Sequence, residues 1–402
     1  MRLKDVASVN LRTLDENTPG DYAFTYIDIS SVSFENGIDL GHDIVFSQAP
    51  SRARRIVKKG DVLVSTVRTY LRAIADIDWD AENVVASTGF AVFSPNDNII
   101  PRFMAFTVKS TDVINQICAN SKGVSYPAIQ APLLASVEIP YFDIPKQAEI
   151  AEYLDKECEK IGRNIELLER KADAYKRLRR SIINSAVTRG LNPDSPLKHS
   201  ASSLTDKIPE HWNERRIKDF FTEISIKGFP DEPMLCATQS RGVIPQSMYE
   251  NRVVAALTGL ENMKLVEEGN FVISLRSFQG GIEYAHYRGI ISAAYTILRL
   301  DGNNSKEYFR YFFKSPTLIK LMKKCVTGIR EGQNINYTVL KYENVPLPPY
   351  IEQQQIAAYL DEKCSKIDAI IEKIGTKIWR LKELKRSLIN EVVTGKRAIN
   401  II

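Results

Sequence analysis

Histidine is scarce in this chain of 402 residues. Only His42, His199, His211 and His286 are present, and none sits in an HExxH or HxE setting, which argues against a zinc hydrolase. Usefully spaced cysteine is also missing. Cys118, Cys158, Cys236, Cys325 and Cys364 are odd in number, far apart and never form a CxxC pair, so neither a disulfide frame nor a cysteine metal site is expected. Thiols of this kind suit a reducing cytoplasm. Long apolar runs are absent too: none approaches the roughly 18 residues that a membrane span needs. The opening Met1-Arg2-Leu3-Lys4-Asp5 has no apolar core, so no secretory signal is expected. The expectation is a cytoplasmic protein with no membrane partner.

The phosphate-binding signatures are lacking as well. Gly395-Lys396 has neither the upstream glycine nor the following Ser or Thr of a P-loop. No GxGxxG opens a helix after a strand, which leaves a dinucleotide or methyl-donor pocket without support. Asp76, Asp78 and Asp80 are spaced to hold Mg²⁺, but no catalytic lysine pattern accompanies them, and they read as a solvated loop between strands. No catalytic residue, metal site or bound cofactor is expected in this chain. A recognition or scaffold protein remains.

What is present is ordinary in bulk. Apolar residues make up 44% and charged residues 26%, the balance of a soluble globular protein with length for two or three domains. The net charge of +5 is unevenly spread: residues 1–143 carry −4, and residues 144–200, 201–349 and 350–402 carry +3 each. That is a weak nucleic-acid signal, and the first segment runs against it.

The informative feature is an internal repeat. Gln147–Thr188 aligns with Gln353–Thr394 without a gap, and about half of the positions are identical. Matches include Ile150/Ile356, Tyr153/Tyr359, Leu154/Leu360, Asp155/Asp361, Cys158/Cys364 and Ile161/Ile367, then Leu178/Leu384, Arg180/Arg386, Asn184/Asn390 and Thr188/Thr394. Apolar residues recur at steps of three and four. The first copy runs through Ile150, Leu154, Ile161, Ile165 and Leu168 to Leu178, Ile182 and Ala186; the second runs through Ile356, Leu360, Ile367, Ile371 and Ile374 to Leu384, Leu388 and Val392. This is the spacing of a coiled-coil or bundle seam. Each copy predicts a helix of about 40 residues, roughly 60 Å long at 1.5 Å per residue. A long helix with one apolar stripe needs a partner, and the economical partner is the other copy, antiparallel. Tyr153/Tyr359 and Cys158/Cys364 fit packing positions of that seam. Ile370 and Trp379 do not fit it, and they are free to face another protein.

The segments before the helices repeat more faintly. Arg2-Leu3-Lys4-Asp5-Val6 resembles Arg216-Ile217-Lys218-Asp219-Phe220, and Gly60–Ser65 resembles Gly269–Ser274. The β-branched runs Val62–Ser65, Ser87–Phe93, Phe271–Ser274 and Ser292–Leu298 predict strands. Pro101–Asn120 and Lys306–Lys324 predict shorter amphipathic helices. The expected fold is α+β: two related globular domains joined by two long antiparallel coiled-coil helices about a pseudo-twofold axis. Its expected parts are a first globule (1–143), a central helix (144–192), a polar linker (193–207), a second globule (208–349) and a C-terminal helix (350–398).

The repeated helix start, Glu352-Gln353 followed by Ile356-Ala357 and Leu360-Asp361, resembles the specificity subunits of type I restriction–modification systems. So does the helix end, Leu384, Arg386-Ser387-Leu388-Ile389, then Val393-Thr394-Gly395. Ile208-Pro209-Glu210-His211-Trp212 followed by Lys218 resembles the opening of that family's target-recognition domain. The resemblance covers nearly the whole chain. It implies that each globule reads one half of a split double-stranded DNA sequence, while the helices dock two adenine-N6 methyltransferase subunits and leave room for restriction subunits. It places S-adenosylmethionine, and ATP and Mg²⁺ where a restriction subunit joins, on those partners. This chain would then be non-catalytic. The competing reading is a coiled-coil scaffold whose globules bind protein surfaces.

DNA-contact candidates follow the strands. Arg68, Tyr70 and Arg72 come directly after Val62–Val67, and Arg276, Ser277, Phe278 and Gln279 hold the matching place before Gly280-Gly281. Arginine can grip guanine with two hydrogen bonds, glutamine can pair with adenine, and tyrosine can reach phosphate. A second set follows the short helices: Lys122, Gly123, Ser125 and Tyr126 in one half, and Arg330, Gln333, Asn334 and Asn336 in the other. Ordinary turn chemistry would choose similar residues. A third is the basic run Arg52, Arg54, Arg55, Lys58 and Lys59, suited to phosphates or to a solvated face. The basic helix ends (Lys176, Arg177, Arg179 and Arg180; Lys382, Lys385 and Arg386) suit DNA, an acidic partner or the helix dipole.

Overall fold

The computed structural model describes residues 1–399 apart from 36, 42, 124, 250–258, 276 and 328–333. The chain forms two compact units, Met1–Glu169 with Gly375–Ile402, and Arg170–Ile374. Each long helix, Ile144–Arg189 and Tyr350–Val393, therefore contributes residues to both units.

In the first unit a four-stranded antiparallel sheet runs in the order Ala7–Val9, Phe90–Pro95, Val62–Ser65, Ile74–Asp76. A second sheet, in the order Asp43–Val45, Ala23–Ile27, Val84–Ser87, Ala53–Ile56, carries one parallel pair. The second unit repeats the first sheet strand for strand: Phe221–Ile224, Thr296–Leu300, Phe271–Ile273, Glu283–Tyr284. Among its other described strands, Leu235–Thr238 pairs with Gly242–Pro245 and Lys264–Val266 with Gly289–Ile291, both antiparallel.

Val62–Ser65 and Phe271–Ile273 are single strands as expected, but the run Ser87–Phe93 is interrupted, since Val84–Ser87 and Phe90–Pro95 join different sheets; of Ser292–Leu298 only the part from Thr296 is strand. The expected short helices are also broken in two. Ser110 and Ser315 adopt extended backbone, and their hydroxyls accept hydrogen bonds from Val113 N and Leu318 N, so each serine caps a new helix. At the second break Pro316 follows, and a residue before proline is pushed out of the α region.

Within the first unit, Ile150, Leu154, Cys158 and Ile161 of the first long helix share one core with Leu388, Ile389, Val392 and Val393 of the second. Within the second unit, Ile183, Ala186 and Val187 share a core with Ile356, Ala357, Leu360 and Cys364. Early residues of one helix meet late residues of the other each time, so the helices pack antiparallel. Ile367 and Ile374 are buried, whereas Ile165, Leu168 and Ile371 are half-buried. Leu178 and Leu384 depart from the expected seam: both are about half exposed, at 47% and 50%. Beyond this point Ala186, Leu388 and Val392 of the expected seam are buried again, joined by Ile183 and Ile389.

Identical residues of the repeat tie each globule to its helix. Gln147 is buried; its Oε1 accepts from Ile100 N (2.8 Å), and its Nε2 donates to the carbonyls of Asn98 and Phe142. Gln353 does the same with Ser305 N (2.8 Å), Asn304 Oδ1 and the Pro348 carbonyl. Asp155 pairs with Arg102 and Asp361 with Arg310. Asn390 Oδ1 accepts from Asp112 N, and Asn184 Oδ1 accepts from Thr317 N, each capping a globule helix. The Ile-Pro-Glu-His-Trp segment has a similar task. Trp212 is fully buried, and its indole N–H and His211 both meet Glu352 Oε2, at 3.0 and 2.7 Å. Gly190 ends the first long helix at φ +75°, where a Cβ would come within 2.9 Å of Glu352.

Candidate nucleic-acid interface

The fully buried strand Val62–Ser65 delivers the chain to the surface at Thr66. The next turn, Thr69–Leu71, is bracketed by two arginines in left-handed backbone, Arg68 at φ 48° and Arg72 at φ 54°. Such conformations cost about 1–3 kcal/mol for a residue other than glycine and tend to gather at functional sites. Tyr70 and Leu71 are more than half exposed at the tip.

The second candidate loop packs directly against this one. Arg68 N donates to the Pro127 carbonyl (2.7 Å), and Ile129 N donates to the Thr66 carbonyl (2.8 Å). Lys122 and Ala128 exchange backbone hydrogen bonds, closing the loop on itself. Buried Thr69 shares a hydroxyl hydrogen bond with Ser121 (2.9 Å). The Arg68 guanidinium stands 4.7 Å from the centre of the exposed Tyr126 ring, and that of Arg72 stands 5.9 Å from Phe34. Arg68, Tyr70, Arg72, Lys122 and Tyr126 therefore form one surface. Among the described residues, none of these three cations has a carboxylate partner. Phe34 carries no local sequence signal for this role, because its contact with Arg72 joins distant segments.

In the second unit the matching turn is the short helix Ser277–Gly280, which packs against the strand Asn334–Ile335. The two candidate loops meet here as well. Arg276, Arg330 and Gln333 lie outside the described residues, and Asn334 pairs through its backbone with Thr327. Gln279 is exposed. Ser277 is buried, not presented; its hydroxyl accepts from Ser274 N (2.8 Å) and shapes the turn. Asn336 is likewise occupied, accepting from Thr338 N as the cap of Tyr337–Leu340. Gly281 at φ +93° is required, since a Cβ there would come within 2.3 Å of the Phe313 carbonyl.

An ion pair that the sequence did not reveal supports this second turn. Lys314 Nζ lies 2.6 Å from Glu283 Oε1 and also donates to the carbonyls of Gly280 (3.0 Å) and Gln239 (3.3 Å). It thereby fastens two surface loops. Burial pushes the Glu283 carboxyl up to about 7, although Lys314 pulls the other way.

The remaining basic candidates are more committed. Arg54 stacks on Phe46, Arg55 donates to Thr13 Oγ1, and Lys59 pairs with Asp80, while Arg52 is exposed. Asp76 is not part of a solvated loop: it sits in a strand, nearly buried, between Arg102 and Lys109.

The whole arrangement has known counterparts. The family model for the type I restriction modification DNA specificity domain matches twice, at residues 1–171 and 209–380. The specificity subunit of the type I restriction enzyme EcoKI from Escherichia coli K12 is 22% identical over 329 residues, covering 76% of this chain and 67% of that one. The HindI specificity subunit from Haemophilus influenzae is 30% identical over 121 residues, 29% of this chain and 26% of its own. A solved chain from work on complex assembly and conformational transition of the type I R-M system shares the fold, with a TM-score of 0.70 at 21% identity. The match covers 99% of this chain and 97% of that one.

Proposed function

Because the chain belongs to the family of type I restriction–modification DNA specificity subunits, with the family's domain present in both halves, we propose that its two units read the two unlike halves of one split DNA target. The observation that carries this is the recurrence of one surface, a turn after a buried strand packed on a second polar loop, with different side chains in each unit. The first presents Arg68, Tyr70, Arg72, Lys122 and Tyr126; the second presents Gln279, with Arg276, Arg330 and Gln333 assigned to it by the repeat. Different readers imply different half-sites and hence an asymmetric target.

The chain is a recognition subunit that does no chemistry of its own. It works in a complex with partner subunits. We assign two adenine-N6 methyltransferase subunits to the long helices, where Leu167, Leu178, Trp379 and Leu384 leave apolar surface exposed. S-adenosylmethionine belongs to those partners, and ATP with Mg²⁺ belongs to a restriction subunit where the complex includes one. Among the described residues no helix is long and apolar enough to cross a membrane; we assign the complex to the cytoplasm because a DNA target requires it there.

Base pairs beneath the helices go unread, so the target has a nonspecific gap whose length follows the helices, as dimer geometry fixes half-site spacing in other readers. Methylome sequencing with and without this chain tests the function. The expected result is one two-part adenine-methylated motif that disappears with the chain. An unchanged methylome in a strain whose methyltransferase is active would refute the reading and return the scaffold alternative.

A further inference from the structure

The second unit contains a cleft of about 920 Å³ beside Gln279, walled by the late part of the first long helix and by the helix Pro316–Lys324. Its lining is strongly cationic, and six of the cations differ in their partners. Arg179, Arg310 and Lys314 are neutralised by Asp368, Asp361 and Glu283. Arg180, Lys320 and Lys323 are exposed and have no carboxylate partner among the described residues.

The first unit does not repeat this pattern. There Arg386, the counterpart of Arg180, is held by Glu35 (2.9 Å) and Glu383 (2.6 Å). The counterpart of the lysine-bearing helix is Thr111–Ala119, which has no basic residue and contains Asp112. The surrounding residues 1–143 are net acidic.

We propose that the second unit's cleft grips the phosphodiester backbone of the DNA next to its half-site, through Arg180, Lys320 and Lys323, and that this grip is confined to the second unit. The inference rests on the DNA-reading function above and adds a division of labour. Both units read bases, and the second adds a sequence-independent electrostatic hold at a place where the first has none. Three cations without carboxylate partners beside Gln279 supply the positive charge that backbone phosphates attract, and phosphate contacts position a reader without carrying sequence information.

The test uses the full chain, copurified with its methyltransferase, and a fluorescent random-sequence duplex titrated across KCl concentrations. Lys320→Gln/Lys323→Gln is compared with Lys171→Gln/Lys377→Gln, which removes two exposed helix charges elsewhere. Every phosphate that is no longer neutralised lowers the slope of log affinity against log salt by about 0.9, so the cleft variant should be shallower by about 1.8. Its fall in affinity between about 50 and 200 mM KCl is then about 12-fold smaller than that of the unaltered chain. The control keeps the full slope, and the methylated motif stays the same in both. A steep slope in the unaltered chain that survives in the cleft variant would overturn the cleft assignment alone. An unchanged slope with loss of the methyltransferase from the cleft variant would also overturn it, by assigning the cleft to a protein. Failure of the unaltered complex to bind any duplex would instead overturn the DNA-reading function.

Discussion

Replacing Arg68 by glycine separates what this residue does for the fold from what it does for DNA. Arg68 holds φ 48° with ψ 49°, a left-handed backbone that costs an L-residue roughly 1–2 kcal/mol. Glycine removes that cost but adds about 0.5–1 kcal/mol of backbone entropy lost on folding. The exposed stacking of Arg68 on Tyr126, at 4.7 Å, contributes about 0.5–1 kcal/mol and disappears with the side chain. The terms nearly cancel, so Arg68→Gly leaves the unfolding midpoint almost unchanged. A base-reading arginine is worth about 1–3 kcal/mol on its cognate site, or roughly 5–150-fold in Kd. Fluorescence anisotropy on the methylated motif measures this directly, and the penalty should vanish on a duplex whose first half-site is scrambled. Arg68→Lys keeps the charge but not the two-pronged grip, so it should fall close to the glycine variant. Unchanged affinity in Arg68→Gly, with unchanged stability, would remove Arg68 from the interface. Full affinity in Arg68→Lys would reduce its role to holding a phosphate.

Other consequences follow from the buried ties. Gln353→Ala strands Ser305 N and the Pro348 carbonyl, at about 1–3 kcal/mol each. Hydrogen exchange should show amides of the second unit losing protection while those of the first keep theirs. Gly190→Ala forces a Cβ toward Glu352 and Trp212 at a left-handed position, and the expected fall in thermal midpoint is readable by calorimetry. Because the folded-state pKa of Glu283 is raised from 4.5 to about 7, the folded state binds this proton more tightly than the unfolded chain. Its contribution to stability is complete below about pH 4.5 and is lost as pH rises through about 7. Glu283→Gln should flatten that fall in urea titrations of the second unit.

The long helices were legible because an apolar period of three and four residues is a direct imprint of helix geometry, and Ile150, Leu154, Ile356 and Leu360 are buried as that period requires. Leu178 and Leu384 were misplaced although Ala186, Leu388 and Val392 of the same series are buried, because an apolar period does not tell which of its members a partner covers. The strands Val62–Ser65 and Phe271–Ile273 were legible from β-branched runs bounded by glycine. The breaks at Ser110 and Ser315 were not, since a capping serine looks like any polar residue until its hydroxyl finds a backbone N–H. Each half of the candidate surface was visible as a polar loop, but the pairing of the loops depends on hydrogen bonds such as that of Thr69 with Ser121, across some fifty residues. The Glu283–Lys314 pair was hidden for the same reason. Asp155/Asp361 and Gln147/Gln353 stood out as repeated residues, yet their partners, Arg102, Arg310, Ile100 and Ser305, come from the less similar globules.

The central claim is that two unlike readers are held at a spacing set by the paired helices. Deleting one matched heptad from both helices, followed by methylome sequencing, tests it most directly. At 5.4 Å per helical turn and 3.4 Å per base pair, the gap should shorten by up to about 1.6 base pairs per turn removed. Both half-sites should stay the same. Altered half-sites with an unchanged gap would contradict the account.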